Sequence, residues 1–304
     1  MLVSRFAKLA TATALATLVM VGIGGLVRAT GSGLACGAEW PRCHGRLVPP
    51  STAPSWIEHS HRLWALVVIA LVIALAVEAR RSAQPRTARL AAYALVPVVL
   101  SQALLGAVVV WLRLQPISVA AHLAIALSIL AVAAVLARRS VATRDASGVG
   151  RRAEWLAKVT AGATLGQLLL GSLVTGAGAG LAYTSFPSFD GSVVPQPHGV
   201  SQLLHVAHRG GAVVVAVLVC TLAWRLRDAP PRVRQATRAA VALVAGQVAL
   251  GATVVLSRLA APVVVAHLVV GASLWVLLVL VLAELRPRAP ALTSLPAREA
   301  VTVS

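Results

Sequence analysis

Residues 56–77 read WIEHSHRLWALVVIALVIALAV. From Leu63 to Val77 the run carries no charge and consists almost wholly of leucine, valine, isoleucine and alanine. A bilayer core takes roughly 20 apolar residues per helical crossing. The apolar part alone is too short, so the span must borrow length from WIEHSHR. Charged and titratable groups at membrane depth are costly and rare. An acid, two histidines and an arginine at the mouth of a span therefore call for a chemical reason.

Outward from this run, the chain repeats the apolar pattern. Eight segments are long enough to cross a bilayer: roughly 9–27, 61–77, 90–112, 117–137, 155–175, 203–224, 239–256 and 262–283. Of the 304 residues, 58% are hydrophobic and 12% charged, and the mean hydropathy is +0.85. Too little polar surface remains for a water-soluble domain. The expected fold class is an all-α polytopic membrane protein with eight transmembrane helices. The first segment ends in GIGGLVRATGSG rather than at a small-residue cleavage site, so it reads as a retained helix and not a signal peptide.

A net charge of +18 raises the possibility of nucleic-acid binding, but its placement excludes that reading. With the N-terminus in the cytoplasm, 20 of the 27 Lys and Arg fall in cytoplasmic segments. The other seven are Arg28, Arg42, Arg46, Arg62, Arg113, Arg209 and Arg258. This is the positive-inside bias of a multi-pass protein with both termini cytoplasmic. The expected location is the plasma membrane, and the expected surroundings are lipid.

The chain also contains an internal repeat. GGLVRATGSGLAC at 24–36 echoes GSLVTGAGAGLAY at 171–183, and HRLWALVVIAL at 61–71 echoes HRGGAVVVAVL at 208–218, both offset by 147 residues. QALLGAVVV at 102–110 echoes QVALGATVV at 247–255, and AHLAIALSIL at 121–130 echoes AHLVVGASLW at 266–275, offset by 145. The expectation is two tandem, pseudo-symmetric four-helix bundles, 1–137 and 155–285. A basic cytoplasmic linker, 138–154, joins them, and a tail, 286–304, follows. Because each unit has an even number of spans, the axis relating them is expected along the membrane normal.

Four histidines survive in matched positions: His61 with His208, each followed by arginine, and His122 with His267, each in AHL. All four fall near the outer end of an even-numbered helix, so they share one depth. His61 can then face His122, and His208 can face His267. Two imidazoles projecting into a helix bundle form the usual axial pair for haem iron. Zinc wants three or four ligands, including a thiolate or carboxylate, which the matched sets do not supply. Arg62 and Arg209 would then pair with haem propionates or snorkel to the interface; both readings stand. Glycines 22, 24, 25, 106, 171 and 251 make room for a porphyrin or simply let helices approach.

The two halves differ three residues before the first histidine of each pair: Glu58 precedes His61, and His205 precedes His208. That spacing puts each pair on one helix face. Glu58 can act as a proton acceptor beside the site or as a favourable charge at a helix N-terminus. Cys36 and Cys43 share the first outer loop, whereas their mirror positions are Tyr183 and Asp190. A disulfide is expected there, since such bonds persist outside the cytoplasm; a metal pair with His44 is the rival and lacks ligands. Cys220 reads as an inert apolar residue within the sixth span.

Taken together, GGLVRATGSGLAC, CGAEWPRC, IEHSHRLW, the two AHL triplets and HVAHR (205–209) resemble the haem A synthases of respiratory bacteria and mitochondria, over nearly the whole chain. The resemblance implies oxidation of the C8 methyl group of haem O to the formyl group of haem A for terminal cytochrome oxidases. It implies that His61 and His122 flank the substrate haem with Glu58 catalytic, and that His208 and His267 ligate a cofactor haem b. It also implies a Cys36–Cys43 disulfide in the outer loop. Haem O synthase (the protohaem farnesyltransferase) and a homo-oligomer are further candidate partners. The resemblance assigns no role to His44, His59 or His198, which read as solvated loop histidines. The main alternative is a bis-histidine b-type cytochrome that carries electrons without modifying haem. A transporter with internal repeats ranks last, because the polar residues cluster near one face rather than at the midplane.

Overall fold

The computed structural model describes residues 4–141 and 150–285. The central linker residues 142–149 and the tail 286–304 lie outside the described residues. Eight long helices make up most of the described chain: α1 (Arg5–Ala29), α2 (Ala53–Arg81), α3 (Arg86–Trp111), α4 (Pro116–Val141), α5 (Arg151–Gly176), α6 (Val200–Arg225), α7 (Pro231–Leu256) and α8 (Ala261–Leu285). Each is long and apolar enough to cross a membrane. A helix of 25 residues spans about 37 Å, more than the hydrocarbon core requires. α2 is the longest at 29 residues. It starts at Ala53, with Pro54 in its first turn, where a missing N–H costs nothing. The titratable WIEHSHR stretch is thus fully helical, as its short apolar run required.

The helices close into two rings. α1 packs on α2, α2 on α3, α3 on α4 and α4 back on α1, and α5 to α8 do the same. α1 against α8, α4 against α5 and α4 against α8 join the rings. One buried cluster fills each ring. A third, with Val21, Leu127, Leu130, Leu168, Ala272 and Trp275, fills the seam. Lipid supplies little hydrophobic drive between helices, so close packing must hold them together. Buried threonines on α1 and α5 help. Thr13, Thr17, Thr160 and Thr164 each donate to the carbonyl four residues earlier, at 2.7–2.8 Å, so each hydroxyl is satisfied within its own helix. Apolar side chains such as Leu15, Val19, Ile73, Val77 and Leu90 are exposed on the outside, as a lipid-facing surface demands.

Local backbone features recur with the sequence. Gly31 (φ +67°) and Gly178 (φ +64°) turn the chain from α1 and α5 into short 3-10 turns at Ser32–Leu34 and Ala179–Leu181. That left-handed conformation suits glycine, which has no Cβ to clash. His44–Gly45 and Asp190–Gly191 share positive φ values, and so do Arg113–Leu114 and Arg258–Leu259. Cys43 bridges Arg46 as Phe189 bridges Ser192. This backbone register corrects one expectation. The position matching Cys43 is Phe189, because the stretch from Tyr183 to Phe189 is one residue shorter than that from Cys36 to Cys43, and Asp190 instead matches His44.

Cys36 and Cys43 form a disulfide. In the second loop, Tyr183 and Phe189 fill the same places with an edge-to-face ring contact, 5.0 Å between centroids. One loop is closed covalently and the other by aromatic packing. Asp190 further ties the second loop, accepting from Thr184 N–H at 2.8 Å, Thr184 hydroxyl at 3.1 Å and Ser185 N–H at 3.2 Å. These bonds, Thr184 N–H foremost, hold its carboxyl below the usual carboxylate range. Their contribution is therefore present above the ordinary carboxylate pKa and is lost as pH falls through the lowered one. For the first loop, the chain-entropy model gives about 2–3 kcal/mol from so short a closure. Alkylation of the unreduced protein followed by mass spectrometry is expected to leave Cys36 and Cys43 unmodified; labelling at both would count against the bond. Cys220 is free and lies on the exposed side of α6.

Candidate functional site

The four matched histidines stand at one end of the molecule, on α2, α4, α6 and α8. His61 and His208 lie eight residues beyond the first residue of their helices, about 2.2 turns in and slightly deeper than the sequence alone suggests. Each imidazole rests against a glycine of the preceding helix. A Cβ on Gly24 would come within 3.1 Å of His61 Cε1, on Gly106 within 3.3 Å of His122, on Gly171 within 3.0 Å of His208, and on Gly251 within 3.1 Å of His267. These four glycines therefore clear space for imidazoles. Gly22 and Gly25 do a different job, admitting Val269 and Leu268 of α8 at the seam. Gly171→Val is expected to displace His208 and lower retained haem severalfold while the helices stay folded. The check is haem absorbance per protein with helicity by circular dichroism; unchanged absorbance would count against the clearance role.

All four histidines line one cavity of about 1490 Å³, walled mostly by leucine, valine and glycine. This exceeds the roughly 300–1,000 Å³ of a single ligand pocket. Nδ1 of His61, His122 and His267 is buried without a partner. His208 Nδ1 and its backbone carbonyl both meet the Gln167 amide nitrogen, at 3.0 and 2.8 Å. Gln247 stands in the matching place near His267, at 3.3 Å from Nε2. The His208 and His267 ring centroids are 6.4 Å apart. Metal–imidazole bonds run about 2.0–2.1 Å and a ring nitrogen lies about 1.1 Å from its ring centre, so two rings sharing one metal ion should have centroids about 6.3 Å apart. The spacing fits a shared axial site. No group of three or more His, Cys, Asp or Glu is placed to hold a metal ion among the described residues, so two-imidazole ligation is the arrangement that the donor set supports.

Glu58 is buried at 4% exposure and holds two donors. Its Oε2 accepts from the Cys36 N–H at 2.8 Å, and its Oε1 is bonded by the Arg62 guanidinium. Arg62 also donates to the carbonyls of Pro41 and Arg42, at 3.0 and 2.8 Å. One carboxylate thus ties the disulfide loop to α2. The second half repeats the tie with an imidazole: Tyr183 N–H faces His205 Nδ1 at 3.3 Å, and Arg209 Nε–H faces Nε2 at 3.0 Å. Arg209 donates to the carbonyls of Ser188 and Ser185 as Arg62 does to its loop, and lies over the Phe186 and Phe189 rings. An imidazole with one lone pair cannot accept both bonds at once, whereas a carboxylate can. The tie is therefore tighter in the first half.

Sequence reasoning did not foresee this tether. It placed Glu58 and His61 on one face from their i, i+3 spacing, and both line the cavity. The i, i+4 relation of Glu58 to Arg62 was equally legible, but the loop carbonyls that orient Arg62 come from 20 and 21 residues away. Among the other histidines, exposed His44 bonds to the Ala35 carbonyl at 2.9 Å. His59, expected in a solvated loop, is instead helical and half-buried within α2 and lines the cavity; it packs edge-on against Trp56 at 5.9 Å, and its Nδ1 is buried without a partner. Exposed His198 accompanies the N-terminus of α6, its N–H donating to Gln202.

The chain is similar in sequence to known proteins. Heme A synthase of Shouchella clausii (strain KSM-K16) is 30% identical over 262 residues, covering 82% of this chain and 86% of that protein. Heme A synthase of Alkalihalophilus pseudofirmus is 31% identical over 227 residues, covering 70% and 74%. Heme A synthase of Symbiobacterium thermophilum is 32% identical over 246 residues, covering 75% and 78%. The family model described as cytochrome oxidase assembly protein, COX15-CtaA, matches residues 7–279 and so takes in all eight helices and all four histidines. The chain belongs to the COX15-CtaA family of cytochrome oxidase assembly proteins.

Proposed function

We propose that this chain is a haem A synthase, oxidising the C8 methyl group of haem O to a formyl group. The observation that carries the reading is the asymmetry of two otherwise matched histidine sites. The second half has an imidazole pair at the spacing of a shared iron and no acid beside it. The first half has a matched pair and a buried carboxylate, Glu58, on the cavity wall. In this reading His208 and His267 ligate a haem b cofactor, and His61 and His122 flank the substrate. Haem at the second site supplies one-electron chemistry next to the first. Glu58 takes up protons at its carboxylate oxygens as the methyl group is oxidised, and Arg62 holds that carboxylate in place. The apolar walls exclude water from the reacting edge.

The same reading puts the protein in the plasma membrane with both termini cytoplasmic and the histidines near the outer face, with the two halves related by an axis along the membrane normal. The positive-inside distribution of Lys and Arg supports it. Haem O arrives in the lipid phase, which makes docking with haem O synthase a reasonable route of supply. The test is expression in cells that accumulate haem O, followed by chromatography of extracted haems. Haem A is expected. Unchanged haem O alongside a protein that still carries low-spin haem would favour the electron-carrying bis-histidine cytochrome instead.

A further inference from the structure

Arg28 is the cation of the cavity wall that the tethers leave unused. It lies in the last turn of α1, half-buried, and lines the cavity. Its guanidinium has no hydrogen bond or ion pair with any described residue. The other arginines on the wall, Arg62 and Arg209, are held by loop carbonyls and by Glu58 or His205. Glu58 is the acid that lines the cavity among the described residues, and both of its oxygens are taken. Nothing on the wall is therefore left to neutralise Arg28. A cation in an apolar cavity is costly unless an anion joins it.

Its position says which anion. Arg28 is four residues beyond Gly24, the glycine against which the His61 ring rests. The same face of α1 thus carries it about 6 Å further toward the disulfide loop. The corresponding position in the second half is Thr175, whose hydroxyl is turned back onto the Gly171 carbonyl at 3.1 Å. The charge is peculiar to the first half.

We infer that Arg28 is the carboxylate-binding residue of the first-half site, gripping a propionate of the porphyrin that sits between His61 and His122. The inference rests on the haem O reading above and adds to it a determinant of orientation. A guanidinium fork matches a carboxylate with two parallel N–H bonds. The C8 methyl group is a near neighbour of a propionate on the macrocycle, so anchoring that propionate fixes which methyl meets the Glu58 wall.

The experiment uses the full chain, purified in detergent with its second-half haem in place. It is titrated with haem O or with haem O dimethyl ester, and binding is followed by quenching of tryptophan emission. Arg28→Gln is expected to weaken binding of the free acid by about ten- to a hundredfold and to leave ester binding at the wild-type level. Arg28→Lys is expected to fall between, because an ammonium keeps the charge without the fork. The second-half haem spectrum, unchanged in all variants, reports that the fold is intact. Equal losses for acid and ester would assign Arg28 to packing and overturn the inference, and so would wild-type affinity for both, which would make it an arginine reaching for the interface. If the wild-type protein takes up neither form, the haem O reading itself fails; that result is separable because it appears before any substitution.

Discussion

Glu58→Gln is expected to lower haem A formation by about 10²- to 10⁴-fold, the usual contribution of a general acid–base group, while the second-half haem stays bound. Glutamine keeps the shape but offers one acceptor where two donors, Cys36 N–H and Arg62, converge. Its amide must turn N–H toward one of them. The loop therefore loosens as the charge disappears, at about 1–3 kcal/mol for a buried donor left unpaired, and this variant alone confounds proton transfer with loop order. Arg62→Leu separates the two, because it frees the loop carbonyls of Pro41 and Arg42 while the Glu58 carboxylate keeps its charge and the Cys36 N–H. If the carboxylate moves protons, Arg62→Leu should make far more haem A than Glu58→Gln. Equal losses of haem A in the two variants, measured by chromatography of extracted haems, would reduce Glu58 to a loop tether.

The second large effect is expected at the other pair. His208→Ala or His267→Ala should remove most of the low-spin haem b from the purified protein and leave the eight helices folded. The rings stand 6.4 Å apart, and each faces a glycine with no room to tilt away. Neither His61 nor His122 can substitute, since both belong to the other ring of helices. Gln167 complicates this pair. Its amide donates to His208 Nδ1 at 3.0 Å, so ligation through Nε2 requires the other tautomer and a turned amide. Gln167→Leu is accordingly expected to shift the haem spectrum without abolishing binding. A full, unshifted spectrum in both histidine variants would show that the ligands lie elsewhere.

Much of this protein is legible in one dimension. Eight spans follow from apolar runs of bilayer length, because a helix satisfies its own backbone and lipid permits little else. The two-fold repetition and the four matched histidines also follow, since helical periodicity maps sequence offset directly onto face and depth. The i, i+3 placement of Glu58 beside His61 required nothing more than that geometry. What the sequence left undecided was everything that depends on contact between distant segments. The disulfide expected in the first loop is borne out where Cys36 and Cys43 meet, but its link to Glu58 through the Cys36 N–H appears only in the fold. The true counterpart of Cys43 in the second half emerged from backbone register, because a one-residue shift inside loops of equal length is invisible when their sequences differ. The glycines were ambiguous until helix–helix approach put each against an imidazole. The arginines were ambiguous in the same way: spacing within α2 and α6 cannot say that Arg62 and Arg209 are held by loop carbonyls, or that Arg28, one turn from Gly24, is left with a free guanidinium facing the cavity. A helix fixes the direction of its own side chains, but only packing decides what lies at the end of them.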